Sequence, residues 1–245
     1  MKPKVVAIIQ ARMGAARLPG KVLLGMVGQT VLSRVINRVE MAETIDRVVV
    51  ATTVEPGDDA IDILCDEMDW LCFRGDEEDV TDRYYKVALF SQADIVVRIT
   101  ADCPLIDSET IDIIVGKFLE EWSNIDYVSN LLPRTYPRGL DTEVFSFNVL
   151  EREWANSVKH REHVTLRLRN NIDNYRIANI SATEDYSWMR WTLDTVEDLE
   201  FARKVYGHFG EKEFNWMDIV GLLDTHPEWV IFDKDPVLEK NNEGK

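Results

Sequence analysis

Acidic side chains are missing from Met1 to Val39, a stretch with seven Lys or Arg in a chain whose formal charge is −16. So negative a whole lacks the basic surface that a nucleic acid polymer needs. Long hydrophobic runs are absent too: none approaches the roughly 20 apolar residues that cross a bilayer, which excludes a membrane partner of that kind. The chain begins a strand-like run after four residues, without the layout of a signal peptide. Cysteine is scarce. Cys65, Cys72 and Cys103 form neither an even framework nor a C-x-x-C pair, which predicts reduced thiols and a cytoplasmic setting. There is no internal repeat, low-complexity tract or Gly/Ser linker, so one domain over 1–232 is expected, with a charged tail over 233–245 that frays. The phosphate-binding signature G-x-x-x-x-G-K-[ST] is also lacking. Five residues separate Gly14 from Gly20, and Val22 follows Lys21 where a metal-binding hydroxyl belongs.

What is present begins with Val5–Ile9, a short β-branched apolar run of the kind that forms a buried strand. It empties into a loop with Gly14, Pro19 and Gly20, along which stand Arg12, Arg17 and Lys21. A strand leading into a glycine-containing cationic loop is a way to hold phosphate, because backbone N–H groups approach closely and cations neutralise the oxygens. The plainer alternative is a basic surface loop.

Further on, strands and helices alternate. Thr30 caps a helix to about Met41, Arg47–Thr52 is a strand, and Asp58 or Asp59 opens a helix with Ile61, Leu64, Cys65 and Met68 inward. Trp70–Phe73 reads as a third strand. Asp79 caps a helix burying Val80, Tyr84, Val87 and Ala88. Asp94–Thr100 is the next strand, and Asp107-Ser108 opens a helix through about Glu121. This order predicts an α/β fold, a mainly parallel sheet covered by helices on both faces. The second half is less regular: strands over Tyr127–Asn130, Glu143–Phe147 and Tyr175–Ile180, a helix or extended arm over His160–Asn170, and helices over Thr195–His208 and Asn215–Leu223.

Functional loops of such sheets lie at the carboxyl ends of the strands. The Arg12–Lys21 loop and Asp102 are both expected there. A carboxylate in the position of Asp102 binds a metal or a ribose hydroxyl, or merely caps the next turn. Asp194 precedes a helix, where capping is the ordinary role. The two carboxylates together suit Mg²⁺, which takes a few carboxylate oxygens and keeps phosphates and waters as its other ligands. His160 and His163 stand three apart with no third metal ligand evident, and Cys103 has no neighbouring histidine. Trp188 and Trp191 read as core or interface.

The segments QARMGAARLPGKVL, GDEEDVTDRYYKVA, RITADCPLID, PRGLDTEVFSFNVLE, REHVT and RWTLDTVEDLEFARKVY resemble, in order, the spore-coat polysaccharide biosynthesis protein F group of the cytidylyltransferase family. That family includes the synthetases that make CMP-linked acidic sugars. The resemblance implies a GT-A-like, Rossmann-type nucleotide-diphospho-sugar transferase fold, a homodimer, CTP and a small sugar-like acceptor as substrates, and Mg²⁺ as cofactor. It carries Gln10, Ala11, Arg12, Gly14, Arg17 and Lys21 over as nucleotide-binding positions, with Arg12, Arg17, Lys21 and Asp102 catalytic. Asp102 and Asp194 match the metal-binding pair, Asp82 and Arg83 lie in the block that approaches the nucleotide, and Arg138, Asp141 and Glu143 fall in the sugar-side region. Two departures stand out: Ala15-Ala16 where relatives have hydroxyls after the glycine, and Leu166 where a proline often follows Val-Thr. Rival readings are a glycosyltransferase of the same fold and a non-catalytic sugar-nucleotide binder.

Overall fold

The computed structural model describes residues 2–156, 161–170 and 174–233. Strand β1 (Val5–Gln10) is fully buried over its first five residues. After the cationic loop comes a small hairpin, β2 (Gly25–Met26) and β3 (Gln29–Thr30), that composition marks only as a turn. Thr30 then caps α1 (Val31–Glu40), its side chain accepting from the Ser33 N–H as expected of a hydroxyl at a helix start. The alternation continues through β4 (Arg47–Thr53), α2 (Asp59–Glu67), β5 (Cys72–Gly75), α3 (Val80–Ser91), β6 (Ile95–Thr100) and α4 (Ser108–Glu120). Asp79 and Asp107 cap α3 and α4 with their side chains. The predicted third strand begins two residues late, and Met68 faces outward at 50% exposure, because α2 ends at Glu67, before its next inward turn.

Seven strands form one sheet in the order β5-β4-β1-β6-β8-β7-β9, completed by β7 (Tyr127–Ser129), β8 (Glu143–Ser146) and β9 (Ile177–Asn179). Pairing is parallel except where β8 runs antiparallel between β6 and β7. Between β8 and β9 lie α5 (Phe147–Asn156) and α6 (Leu166–Asn170). The arm expected over His160–Asn170 thus becomes helical only from Leu166, and His160 lies outside the described residues.

Period-two alternation along β1 separates two layers of core. Val5, Ala7 and Ile9 pack with Leu32, Val35 and Ile36 of α1, Ile61 of α2 and Ile111 and Ile114 of α4. Val6 and Ile8 pack on the opposite face with Tyr84 and Val87 of α3 and Val149 and Leu150 of α5. A third cluster joins α7 (Val196–Phe209) and α8 (Trp216–Thr225) to Leu105, Leu140, Trp191 and Leu193, drawing the segment before α7 up to the ends of β1 and β6. Asp233 is seated rather than frayed: its N–H donates to Trp188 O at 2.8 Å and its carboxylate meets Arg138 at 2.7 Å. The rest of the tail lies outside the described residues.

Candidate active site

The chain leaves β1 in one direction, toward β4 and β5, and returns to the other side of β1 as β6. The crevice outside the carboxyl ends of β1 and β6 is therefore the switch point where ligands of open α/β sheets bind. The loop after β1 folds back on itself there, with Met13 O accepting from both Ala15 N and Gly20 N at 2.9 Å. That reversal requires a left-handed residue, and Gly20 supplies it at φ 71°. Gly14 meets no such demand; an added Cβ would sit 3.5 Å from Glu77 Oε1, an ordinary contact.

The loop is anchored from a distance. Asp58, expected to cap α2, makes no capping bond; its buried carboxylate accepts from Met13 N at 2.6 Å and from Thr53. Sequence reasoning missed this role. The adjacent Asp58-Asp59 pair at one helix start, where one capping residue suffices, is the local signal that leaves one carboxylate free for another role.

Lys21 follows directly and is almost wholly buried. Its ammonium donates to Asp102 Oδ2 at 2.9 Å, Asp194 Oδ1 at 2.9 Å and Leu193 O at 2.8 Å. Asp102 stands just past β6, and its carbonyl accepts from Leu193 N at 2.7 Å, stitching the two carboxylate-bearing segments together. Asp194 does not cap the helix it precedes. Thr195 does, in a reciprocal capping box with Asp198, which leaves the Asp194 carboxylate facing the crevice. There it also meets Arg17 at 2.7 Å and Arg190 at 3.0 Å. Gly139 makes this arrangement possible from the other side, since a Cβ would stand 2.7 Å from the Trp191 carbonyl carbon.

Burial acts to lower the pKa of Lys21, but Asp102 and Asp194 outweigh it and hold the ammonium above its ordinary value. Burial likewise acts to raise Asp194, and Lys21, Arg190 and Arg17 overcome it, keeping that carboxyl below its ordinary value. Both groups are therefore charged at neutral pH. Cys103 is buried, burial pushes its thiol well above the usual range, and it is no nucleophile.

Arg12, Arg17, Lys21, Asp102 and Asp194 line one cavity of about 310 Å³, together with Gln10, Ala15, Ala16 and Thr100. A second cavity of about 330 Å³ shares Gln10 and Arg12 and adds Glu77, Glu78, Arg83, Arg98 and His163. Ala11 is buried, its N–H donating to Ala51 O. Arg83 is fully buried on the wall of the second cavity, bonded to Asp76 O at 2.8 Å. Asp82 points elsewhere: it accepts from Trp154 Nε1 at 2.9 Å and pairs with Lys86 at 2.7 Å.

The three sugar-side candidates line neither cavity. Arg138 pairs with Asp233 at 2.7 Å, and Asp141 receives both ends of the Arg134 guanidinium at 2.5 and 2.8 Å. Glu143 is 1% exposed and bound by Arg98 and Tyr127 at 2.5 and 2.6 Å. Burial acts to raise the Glu143 pKa, and Arg98 and Arg169 overcome it, so the group stays ionised as an internal ion pair. In this structure Asp141 pairs within its own loop with Arg134, and Glu143 ties β8 to β6 and β7.

Among the described residues no group of three or more His, Cys, Asp or Glu converges as a metal cage. Two carboxylates that share one cation are what a Mg²⁺ ion needs if triphosphate oxygens and water complete its coordination. The donor set fits that ion.

Residues 6–219 match the cytidylyltransferase family. The chain is 32% identical to the spore coat polysaccharide biosynthesis protein SpsF of Bacillus subtilis, over 91% of this chain and 95% of that one. It superposes on a cytidylyltransferase from Leptospira borgpetersenii with a TM-score of 0.90 and 34% identity, covering 93% of this chain and 97% of the other. A CMP:2-keto-3-deoxy-manno-octonic acid synthetase solved with CTP has the same fold, with a TM-score of 0.65 and 19% identity over 84% of this chain and 99% of that one. A cation-lined crevice facing two carboxylates thus sits within a match spanning most of the chain, and the protein belongs to the cytidylyltransferase family.

Proposed function

We propose that this protein transfers CMP from CTP to an acidic or phosphorylated sugar-like acceptor, releasing pyrophosphate and supplying an activated sugar for surface polysaccharide. The observation that carries the reading is Lys21, held between Asp102 and Asp194 in a crevice that Arg12 and Arg17 also line. An acceptor oxygen attacks the α-phosphorus in line, the new O–P bond forms, and the bridging bond to the β-phosphate breaks. The acceptor hydroxyl loses its proton to solvent, and pyrophosphate carries away the bonding pair. Arg12, Arg17 and Lys21 neutralise the triphosphate and the charge that grows on the leaving group. Asp102 and Asp194 would hold Mg²⁺, which supplies Lewis-acid stabilisation of the phosphoryl oxygens. The cavity wall at Gln10 and Arg12 continues into the second cavity, with room for the nucleoside. Gln10 Oε1 is buried there without a partner, an acceptor suited to the amino group of cytosine. The solved synthetase of the same fold, complexed with CTP, supports the same reading, and with it a GT-A-like fold is proposed.

A glycosyltransferase of similar fold usually presents an Asp-x-Asp at its metal; here β6 ends at Thr100 and is followed by Ala101-Asp102-Cys103, without the pair. Thermal melting with CTP, UTP, GTP or ATP, each with and without Mg²⁺, tests the proposal. CTP with Mg²⁺ at about 100 times its dissociation constant is expected to raise Tm by roughly 5–10 °C. Equal shifts with all four nucleotides would overturn the base assignment.

A further inference from the structure

Lys21 is held more completely than binding phosphate requires. An ammonium has three donors, and all three are spent inside the protein, on Asp102, Asp194 and Leu193 O at 2.8–2.9 Å. Its neighbours share the same economy of charge. Arg17 and Arg190 also bind Asp194, and Arg190 reaches Asp198 at 2.9 Å, so three cations face three carboxylates. A cluster so balanced has little attraction for a bare divalent cation, which would meet the charges of Lys21, Arg17 and Arg190 at short range. A metal–triphosphate complex carries net negative charge and meets no such barrier. Its oxygens give Lys21 and Arg17 new partners as the carboxylates turn to the metal.

We propose that Lys21 is an internal counter-ion for Asp102 and Asp194, one that excludes bare divalent cations and couples entry of metal to entry of the triphosphate. This deepens the nucleotidyl-transfer reading and rests on it for the identity of the second ligand, but the counter-ion itself is tested without nucleotide. Mn²⁺ is titrated into the nucleotide-free protein, with bound and free ion distinguished by electron paramagnetic resonance, for the wild type, Lys21→Met and Lys21→Gln. Wild type is expected to bind no stoichiometric Mn²⁺ in the range where the variants do. Removing a positive charge 2.9 Å from each carboxylate is expected to tighten Mn²⁺ binding on the order of tenfold or more. Adding Asp102→Asn to Lys21→Met should abolish that gain. Lys21→Gln retains an N–H donor for Leu193 O and serves if Lys21→Met does not fold.

Folded variants that bind Mn²⁺ no more tightly than wild type would overturn the proposal. So would stoichiometric binding of bare Mn²⁺ by the wild type, whether or not either variant folds. Failure of the CTP assignment appears separately, as the absence of any nucleotide-induced shift in melting, and leaves the Mn²⁺ comparison intact.

Discussion

Replacing Asp102 with Asn is expected to leave the protein folded and to reduce pyrophosphate release by on the order of 10³-fold, about 4 kcal/mol of transition-state stabilisation. Asp102 is suited to this test because its carboxylate is at the crevice, 27% exposed, where it accepts from Lys21 and from the Cys103 thiol, donors that an amide oxygen of the same shape can also meet. Its fixed contribution to the fold is the backbone carbonyl that accepts from Leu193 N, and the amide keeps that bond. What changes is the charge. Lys21 loses one of its two carboxylate partners, and the site loses one of the two anionic ligands that suit Mg²⁺. The Mg²⁺-dependent part of the CTP melting shift should therefore disappear along with turnover. Turnover at the wild-type rate in Asp102→Asn would remove Asp102 from the mechanism.

The second large effect concerns stability. Glu143→Gln is expected to cost about 3 kcal/mol, because it leaves the partly buried Arg98 guanidinium without its counter-charge at a fully buried position. β8 places Glu143 directly opposite Arg98 of β6, and Tyr127 of β7 donates to the same carboxylate at 2.6 Å. One carboxylate thus ties together three adjacent strands, including the antiparallel one. For a chain of this length the loss corresponds to a fall in Tm on the order of 10 °C. Its pH dependence has a definite sign. The folded pKa of Glu143 is held below the ordinary value, so the stabilisation is fully present above the unfolded carboxyl value of about 4.3. It is lost as pH falls through the lower folded value. The gap in Tm between wild type and Glu143→Gln should be full at neutral pH and close progressively in acid. An undiminished gap under strongly acidic conditions would show that packing, and not charge, is what Glu143 supplies.

How much of this was legible in the sequence depends on how local each determinant is. Thr30, Asp79 and Asp107 start helices because a side-chain oxygen satisfies an N–H within three residues, and such signals can be read without tertiary knowledge. The apolar runs of β1, β4 and β6 are legible for the same reason, and with them the edge of the sheet where the cationic loop and Asp102 meet. The antiparallel insertion of β8 was not legible, because pairing partners depend on contacts far apart in sequence. Asp141 and Glu143 illustrate the cost. The family resemblance puts them in a sugar-side region, while Arg134 pairs with Asp141 and Arg98 with the buried Glu143 inside the protein. Asp194 shows the opposite case. The ordinary reading was a cap, and only the presence of Thr195 and Asp198 in that role frees its carboxylate to meet Lys21 across 173 residues of sequence.

Pyrophosphate release from CTP, measured across a panel of sugar acids and sugar phosphates with Mg²⁺, tests the central claim most directly. The account predicts that one acceptor class yields pyrophosphate and a CMP-linked product in equal amounts, and that Asp102→Asn yields neither. Tight binding of CTP with no pyrophosphate from any acceptor, or release of free nucleoside diphosphate from a nucleotide sugar instead, would contradict it.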